Sequence, residues 1–110
     1  MRIYLSGPMS GIPDNNVPAF DRDAKALRDA GHDVVSPAEI FVDGDSGEPD
    51  FYNRCLRADL KAMMDCDAIA LMEGWEKSRG AHLELSVAHR VGMAVHFVES
   101  LLQDAEVRHE

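Results

Sequence analysis

Asp67-Ala68-Ile69-Ala70-Leu71-Met72-Glu73-Gly74 is a short apolar run with an acid in front of it and a glycine turn behind it. A run this short, without polar alternation, fits a strand buried on both faces, as in a parallel sheet covered by helices. Three other runs share its form: Arg2–Ser6, His32–Ser36 centred on Val34-Val35, and Ala94–Val98. Helical spacing fills the intervals. Val17–Ala30 turns Phe20, Ala24, Leu27 and Ala30 toward one face and ends at Gly31, which suits a left-handed cap. Phe51–Asp65 repeats Leu56, Leu60, Met63 and Met64. Arg79–Arg90 repeats Leu83 and Val87 and is closed by Gly92, and a last helix runs from Leu101 to Val107.

The alternation of strands and helices predicts an α/β domain over residues 1–110. Its core would be a small doubly wound, flavodoxin- or Rossmann-like parallel sheet of four or five strands flanked by helices. Ligands of such sheets bind beyond the carboxyl ends of the strands. Residues 7–16, 37–50 and 73–80 are therefore the loops where function is expected. The net charge of −9 repels a phosphate backbone, so no nucleic-acid polymer is expected as partner. No apolar run approaches the roughly 18 residues of a membrane span, and Gly7-Pro8 breaks the first run before it could act as a secretory signal. A cytoplasmic protein without a membrane partner is expected, with Cys55 and Cys66 as free thiols.

Two loops carry candidate chemistry. After the first strand, Gly7-Pro8-Met9-Ser10-Gly11 lets backbone amides approach a ligand, or simply makes a tight turn; it is neither GxGxxG nor a Walker loop. After the third strand, Trp75 precedes Ser78-Arg79-Gly80, where Ser78 can cap the next helix. The free amides of that helix suit an anion, and the Arg79 guanidinium suits phosphate. Glu84 follows about one and a half turns into the helix. It is either a surface acid or a functional one crowded by Leu83, Leu85, Val87 and Ala88. Asp59 lies midway along the second helix, as a solvated acid or a site acid, and Asp65 and Asp67 read as capping or turn residues. The spacing of His82, Glu84 and His89 is not a zinc pattern, and 43–48 lacks the acids of a calcium loop, so no metal or other cofactor is expected. Residues 42–50 read as a lid or a solvated loop.

Taken in order, Tyr4-Leu5-Ser6-Gly7-Pro8, Tyr52 to Leu60, Asp67-Ala68-Ile69-Ala70, Ser78 to Ala88, and Gly92 resemble the nucleoside 2-deoxyribosyltransferase superfamily. The Gly-Trp-Glu-Lys-Ser-Arg-Gly run is similar to a phage-associated branch of it. The resemblance implies that Glu84 is the nucleophile attacking the anomeric carbon. It implies that Asp59 manages the proton at the leaving base and that Tyr4 positions Glu84. It also implies a small nucleoside or nucleotide as partner and a homodimer or higher homo-oligomer. Trp75 would then stack on the base or pack against a second subunit.

Position 78 divides the superfamily. Transferases resemble one another in an acid six residues before the nucleophile, whereas the related deoxynucleoside 5′-monophosphate N-hydrolases carry serine, as Ser78 does here. Cleavage of a 5′-monophosphate is the first expectation. Base exchange on a nucleoside, or a nucleotide-binding sensor with little turnover, are the alternatives. The chain departs from the hydrolase pattern in having Ser10 where a basic residue stands, and it has no match to the C-terminal segment with which transferases complete a neighbour's site.

Overall fold

The computed structural model describes residues 1–109, and Glu110 lies outside the described residues. The elements are β1 (Arg2–Ser6), α1 (Val17–Asp29), β2 (Asp33–Val35), α2 (Phe51–Met63), β3 (Ala68–Leu71), α3 (Arg79–Arg90), β4 (Ala94–Phe97) and α4 (Val98–His109). Short 3-10 turns occupy Pro13–Asn16, Pro37–Glu39 and Trp75–Lys77. All strands are parallel, in the order β2-β1-β3-β4. The connections leave β1 toward one edge and come back to β3 beside it, so the point where strand order reverses lies between β1 and β3. Among the described residues no helix is long and apolar enough to cross a membrane.

Alternation along β1 builds two cores. Ile3 and Leu5 face α1 and α4 and join Phe20, Ala24, Leu27, Met72, Val98 and Leu101. Tyr4 faces the other way and joins Met63, Ile69, Leu71 and Ala88 beneath α2 and α3. Burying each large apolar side chain contributes about 1.5–3 kcal/mol, so both faces of the central strands are fixed. Gly31 and Gly92 have φ of +98° and +78°, as left-handed helix ends require.

β1 matches its apolar run, the other three strands are one or two residues shorter than theirs, and α4 starts three residues earlier than expected, because Val98 folds into the first core instead of extending β4. Two helical faces also differ from expectation. α3 buries Ala81, Glu84 and Ala88, while Leu83 is 39% exposed. α2 fully buries only Met63, and Met64 is 46% exposed. On α3, small residues let the helix lie close to the sheet, so the contact face is marked by alanines and not by the leucine.

Candidate active site

Glu84 is the one acid of α3 and it is buried, 5% exposed. Its neighbours are not the leucines beside it in sequence but the polar side of β1. Tyr4 and Ser6, two residues apart on one strand, point to the same face of the sheet. The Tyr4 hydroxyl donates to Glu84 Oε2 at 2.6 Å, and the Ser6 hydroxyl donates to Glu84 Oε1 at 2.8 Å. Both donors are fully buried. Burial pushes the Glu84 carboxyl above its ordinary range, and the two hydrogen bonds pull it back part of the way. Hydrogen bonds to a charged group are each worth about 1.5–3 kcal/mol, comparable with the cost of leaving such a group buried without partners. Burial first, then the adjacent Glu84 and Asp59, drive the Tyr4 phenol far above its ordinary pKa, so it remains a donor.

Asp59 comes from α2, whose Leu60 and Met63 share a core with Leu85, Val87 and Ala88 of α3. Half-buried, it has no hydrogen bond or ion pair among the described residues. Burial, with Glu84 next in weight, pushes its carboxyl up to about 7. The two carboxyl groups thus act on each other electrostatically from different settings. Glu84 is held by donors, which favour the ionised form, and Asp59 takes a proton near neutral pH.

Ser78 caps α3 as its side chain accepts from the Ala81 amide at 3.1 Å. Arg79 is exposed at the first turn, and Gly80 stands behind it. Trp75 is half-buried against the α2–α3 core, with the His82 ring 5.2 Å away; His82 Nε2 lies 2.7 Å from the Glu76 carbonyl, which ties this loop to α3. Asp67 has the structural role expected, accepting from the Arg2 amide at 3.0 Å.

The first loop does not gather on Glu84 as a unit. Met9 packs against the α1-side core. Pro8 and Ser10 line a cleft of about 410 Å³ with Asn16, Arg22, Asp23 and Lys77, and none of Tyr4, Asp59 and Glu84 lines it. The cleft opens on the α1 face of the same strand ends, whereas the two carboxyl groups lie on the α2–α3 face. Gly11 takes φ +81°, and Asp14, Asn15 and Asn16 follow with φ of 56°, 52° and 61°. Asp and Asn are the side chains that tolerate this region best, and Asn16 Nδ2 closes the loop by donating to the Pro8 carbonyl at 2.8 Å.

Ser6 is the residue that sequence reading missed. It stands at the strand end and reads as the first residue of the loop. Its same-face spacing with Tyr4 was the available signal. Among the described residues, no group of three or more His, Cys, Asp or Glu is placed to share a metal ion.

Solved structures share this fold. One is the 2-deoxyribosyltransferase of the psychrotolerant bacterium Bacillus psychrosaccharolyticus, described as a biocatalyst for the synthesis of antiviral and antitumoral nucleosides. It is 22% identical, with a TM-score of 0.68 over 86% of this chain and 69% of that one. The expected 2-deoxyribosyltransferase fold is therefore present. None of the curated proteins matches the chain. The model of a family described as a domain of unknown function, DUF4406, matches residues 1–97, and the chain belongs to that family.

Proposed function

We propose that this protein breaks the N-glycosidic bond of a small deoxynucleoside or its 5′-monophosphate through a covalent bond to Glu84. The observation that carries the reading is the pair of carboxyl groups: Glu84 buried and held at both oxygens, and Asp59 beside it with a pKa near 7. A carboxylate oxygen of Glu84 bonds to the anomeric carbon as the carbon–nitrogen bond breaks, and the electron pair leaves on the base. Asp59 supplies the proton the base needs. The sugar is then ester-linked to Glu84, and the acceptor decides the outcome. A second base gives exchange and water gives hydrolysis; in both, the acceptor's proton returns to Asp59.

The structural neighbour is a 2-deoxyribosyltransferase, which favours glycosyl transfer. Ser78 supports the second reading, hydrolysis of a monophosphate, because a hydroxyl at the α3 N-terminus tolerates a 5′-phosphate that a carboxylate would repel. A homodimer or larger homo-oligomer in the cytoplasm belongs to the same proposal, and light scattering measures the assembly. The deciding experiment is chromatographic detection of free base. Each deoxynucleoside and deoxynucleoside 5′-monophosphate is incubated with the protein, with and without a second base. New nucleoside formed only with acceptor means transfer. Base released without acceptor means hydrolysis. Tight binding without turnover overturns the enzyme reading in favour of a nucleotide sensor.

A further inference from the structure

The two edges of the sheet are finished differently. β2 is three residues long, and its free edge is guarded. The Asp33 N–H turns inward to the Met1 carbonyl, so Val34 directs its polar groups outward, and there Arg28 of α1 donates to the Val34 carbonyl at 2.8 Å. The same guanidinium donates to Glu39 Oε1 at 2.6 Å, and Pro37 follows the strand. Short length and charge at an edge both discourage pairing with another chain. β4 has neither guard. Among the described residues no strand pairs with its outer side, and Ala94-Val95-His96-Phe97 holds no proline or lysine. The Ala94 N–H turns inward to the Asp67 carbonyl, so Val95 and Phe97 direct their N–H and C=O groups outward. Their side chains lie in register with Ile69 and Leu71 and point to the α2–α3 side, where Val95 is 40% and Phe97 51% exposed. Val91, just before the strand, is exposed as well. The ends of this edge carry opposite charges. Arg90 closes α3 before β4, and Glu99 stands in the first turn of α4 after it. Both are exposed, and neither has an ion pair among the described residues.

We propose that the outer edge of β4 joins two copies of this chain, edge to edge, about a two-fold axis normal to the sheet. Such an axis makes the paired strands antiparallel. The Arg90 end of each copy then meets the Glu99 end of the other, and charges left unpaired in one chain are paired in two. Parallel edges would instead set Arg90 beside Arg90 and Glu99 beside Glu99. The same rotation keeps both α2–α3 faces on one side of the joined sheet, where Val95 and Phe97 of the two copies cover one another. The outward N–H and C=O groups bond across the join, so that one sheet runs through both copies. The inference rests on the homo-oligomer reading, to which it gives a surface, and not on the chemistry of Glu84. Glu84 is held from β1, two strands in from the join.

Sedimentation velocity of the full chain from about 1 to 100 μM measures the assembly, with circular dichroism as the check on folding. A dimer is expected for the unaltered protein. Val95→Lys puts a charge into the join at a position exposed in the single chain, and it is expected to weaken association at least about a hundredfold. Arg90→Glu and Glu99→Arg each set like charges together and should weaken association about tenfold. Combined in one chain, the two changes restore the pairs in exchanged order and should recover most of the loss. A monomer at every concentration overturns the homo-oligomer reading and this interface together. A dimer that Val95→Lys leaves intact overturns the interface while the homo-oligomer stands. Charge changes that do nothing singly, or that do not recover when combined, overturn the two-fold arrangement. Mass is read without substrate, so each outcome is independent of whether Glu84 cleaves a nucleoside.

Discussion

Glu84 on α3 and Asp59 on α2 are acids close enough to act on each other's charge, yet their supports differ. α3 is pressed onto the sheet through Ala81 and Ala88, and Glu84 is reached by two hydroxyls from β1. α2 fully buries a single side chain, Met63, and Asp59 accepts no hydrogen bond among the described residues. The environment sorts the roles. Donors to the Glu84 carboxyl favour its ionised, attacking form against the burial that raises its pKa. A carboxyl group that is desolvated and faces another carboxyl group holds a proton near neutrality and can give it away.

The largest effect should come from Glu84. Glu84→Ala is expected to lower base release by three or more orders of magnitude, as loss of a nucleophile does. The fold should survive, because the change leaves two hydroxyls without their acceptor but removes a buried charge. Activity within tenfold of the unaltered protein would end the assignment, and circular dichroism checks the fold. Next is Asp59→Asn, with an expected loss of roughly a hundred- to ten-thousand-fold for bases that need a proton to leave. Its signature is in pH. Asp59 is active when protonated, so turnover should fall as pH rises through about 7, and the variant should lose that limb. The same shift affects stability. A carboxyl group with its pKa raised in the folded state favours folding less as pH climbs from its unfolded value near 4 to about 7. Asp59→Asn should therefore raise Tm more at pH 8 than at pH 5, and an equal change at both would contradict the burial of this group.

Ser6 tests the contrast from the other side. Ser6→Ala takes one of the two donors from Glu84, and burial then acts with less opposition. Glu84 must be ionised to attack, so the acidic limb of kcat/KM should move to higher pH, with the rate at its optimum down about tenfold. Ser6→Thr, which retains the hydroxyl, should keep the limb near its original position if the bulkier side chain is accommodated. A uniform drop at all pH values would make Ser6 a packing residue only.

The parts of the molecule that sequence revealed are those governed by local rules. Continuous apolar runs gave all four strands, and Gly31 and Gly92 marked helix ends. Tyr4, Asp59 and Glu84 were named through a family resemblance, and folding brings Tyr4 to 2.6 Å from Glu84. What stayed hidden depends on distance across the fold. On α3 hydrophobicity points to Leu83, while the face laid on the sheet carries the small Ala81 and Ala88. Ser6 was passed over because its partner stands on another element, 78 residues away in the chain. The first loop reads from sequence as a ligand-binding loop or a tight turn, and its Pro8 and Ser10 line a cleft on the α1 side of the sheet, away from Glu84. Three successive left-handed residues at 14–16 have no signal in sequence beyond a preference for Asp and Asn.

The smallest expected effect concerns Arg79, which is the outermost part of the α3 end of the pocket. It is exposed and has no ion pair among the described residues, so its removal should leave Tm unchanged. Charges in that setting act through water and are screened by salt, and their contribution is of order 1 kcal/mol or less. Arg79→Ala should therefore raise KM for a 5′-monophosphate by only a few-fold, and the difference should shrink as ionic strength increases. A matching increase for the uncharged nucleoside would remove Arg79 from the phosphate's surroundings. A loss far larger than tenfold would mean that the guanidinium is drawn inward by the ligand and is desolvated there. In that case the uncharged Ser78 hydroxyl would not be the main source of selectivity, and the contrast between a hydrogen-bonded Glu84 on α3 and an unpaired Asp59 on α2 would matter less for choosing the substrate than for cleaving it.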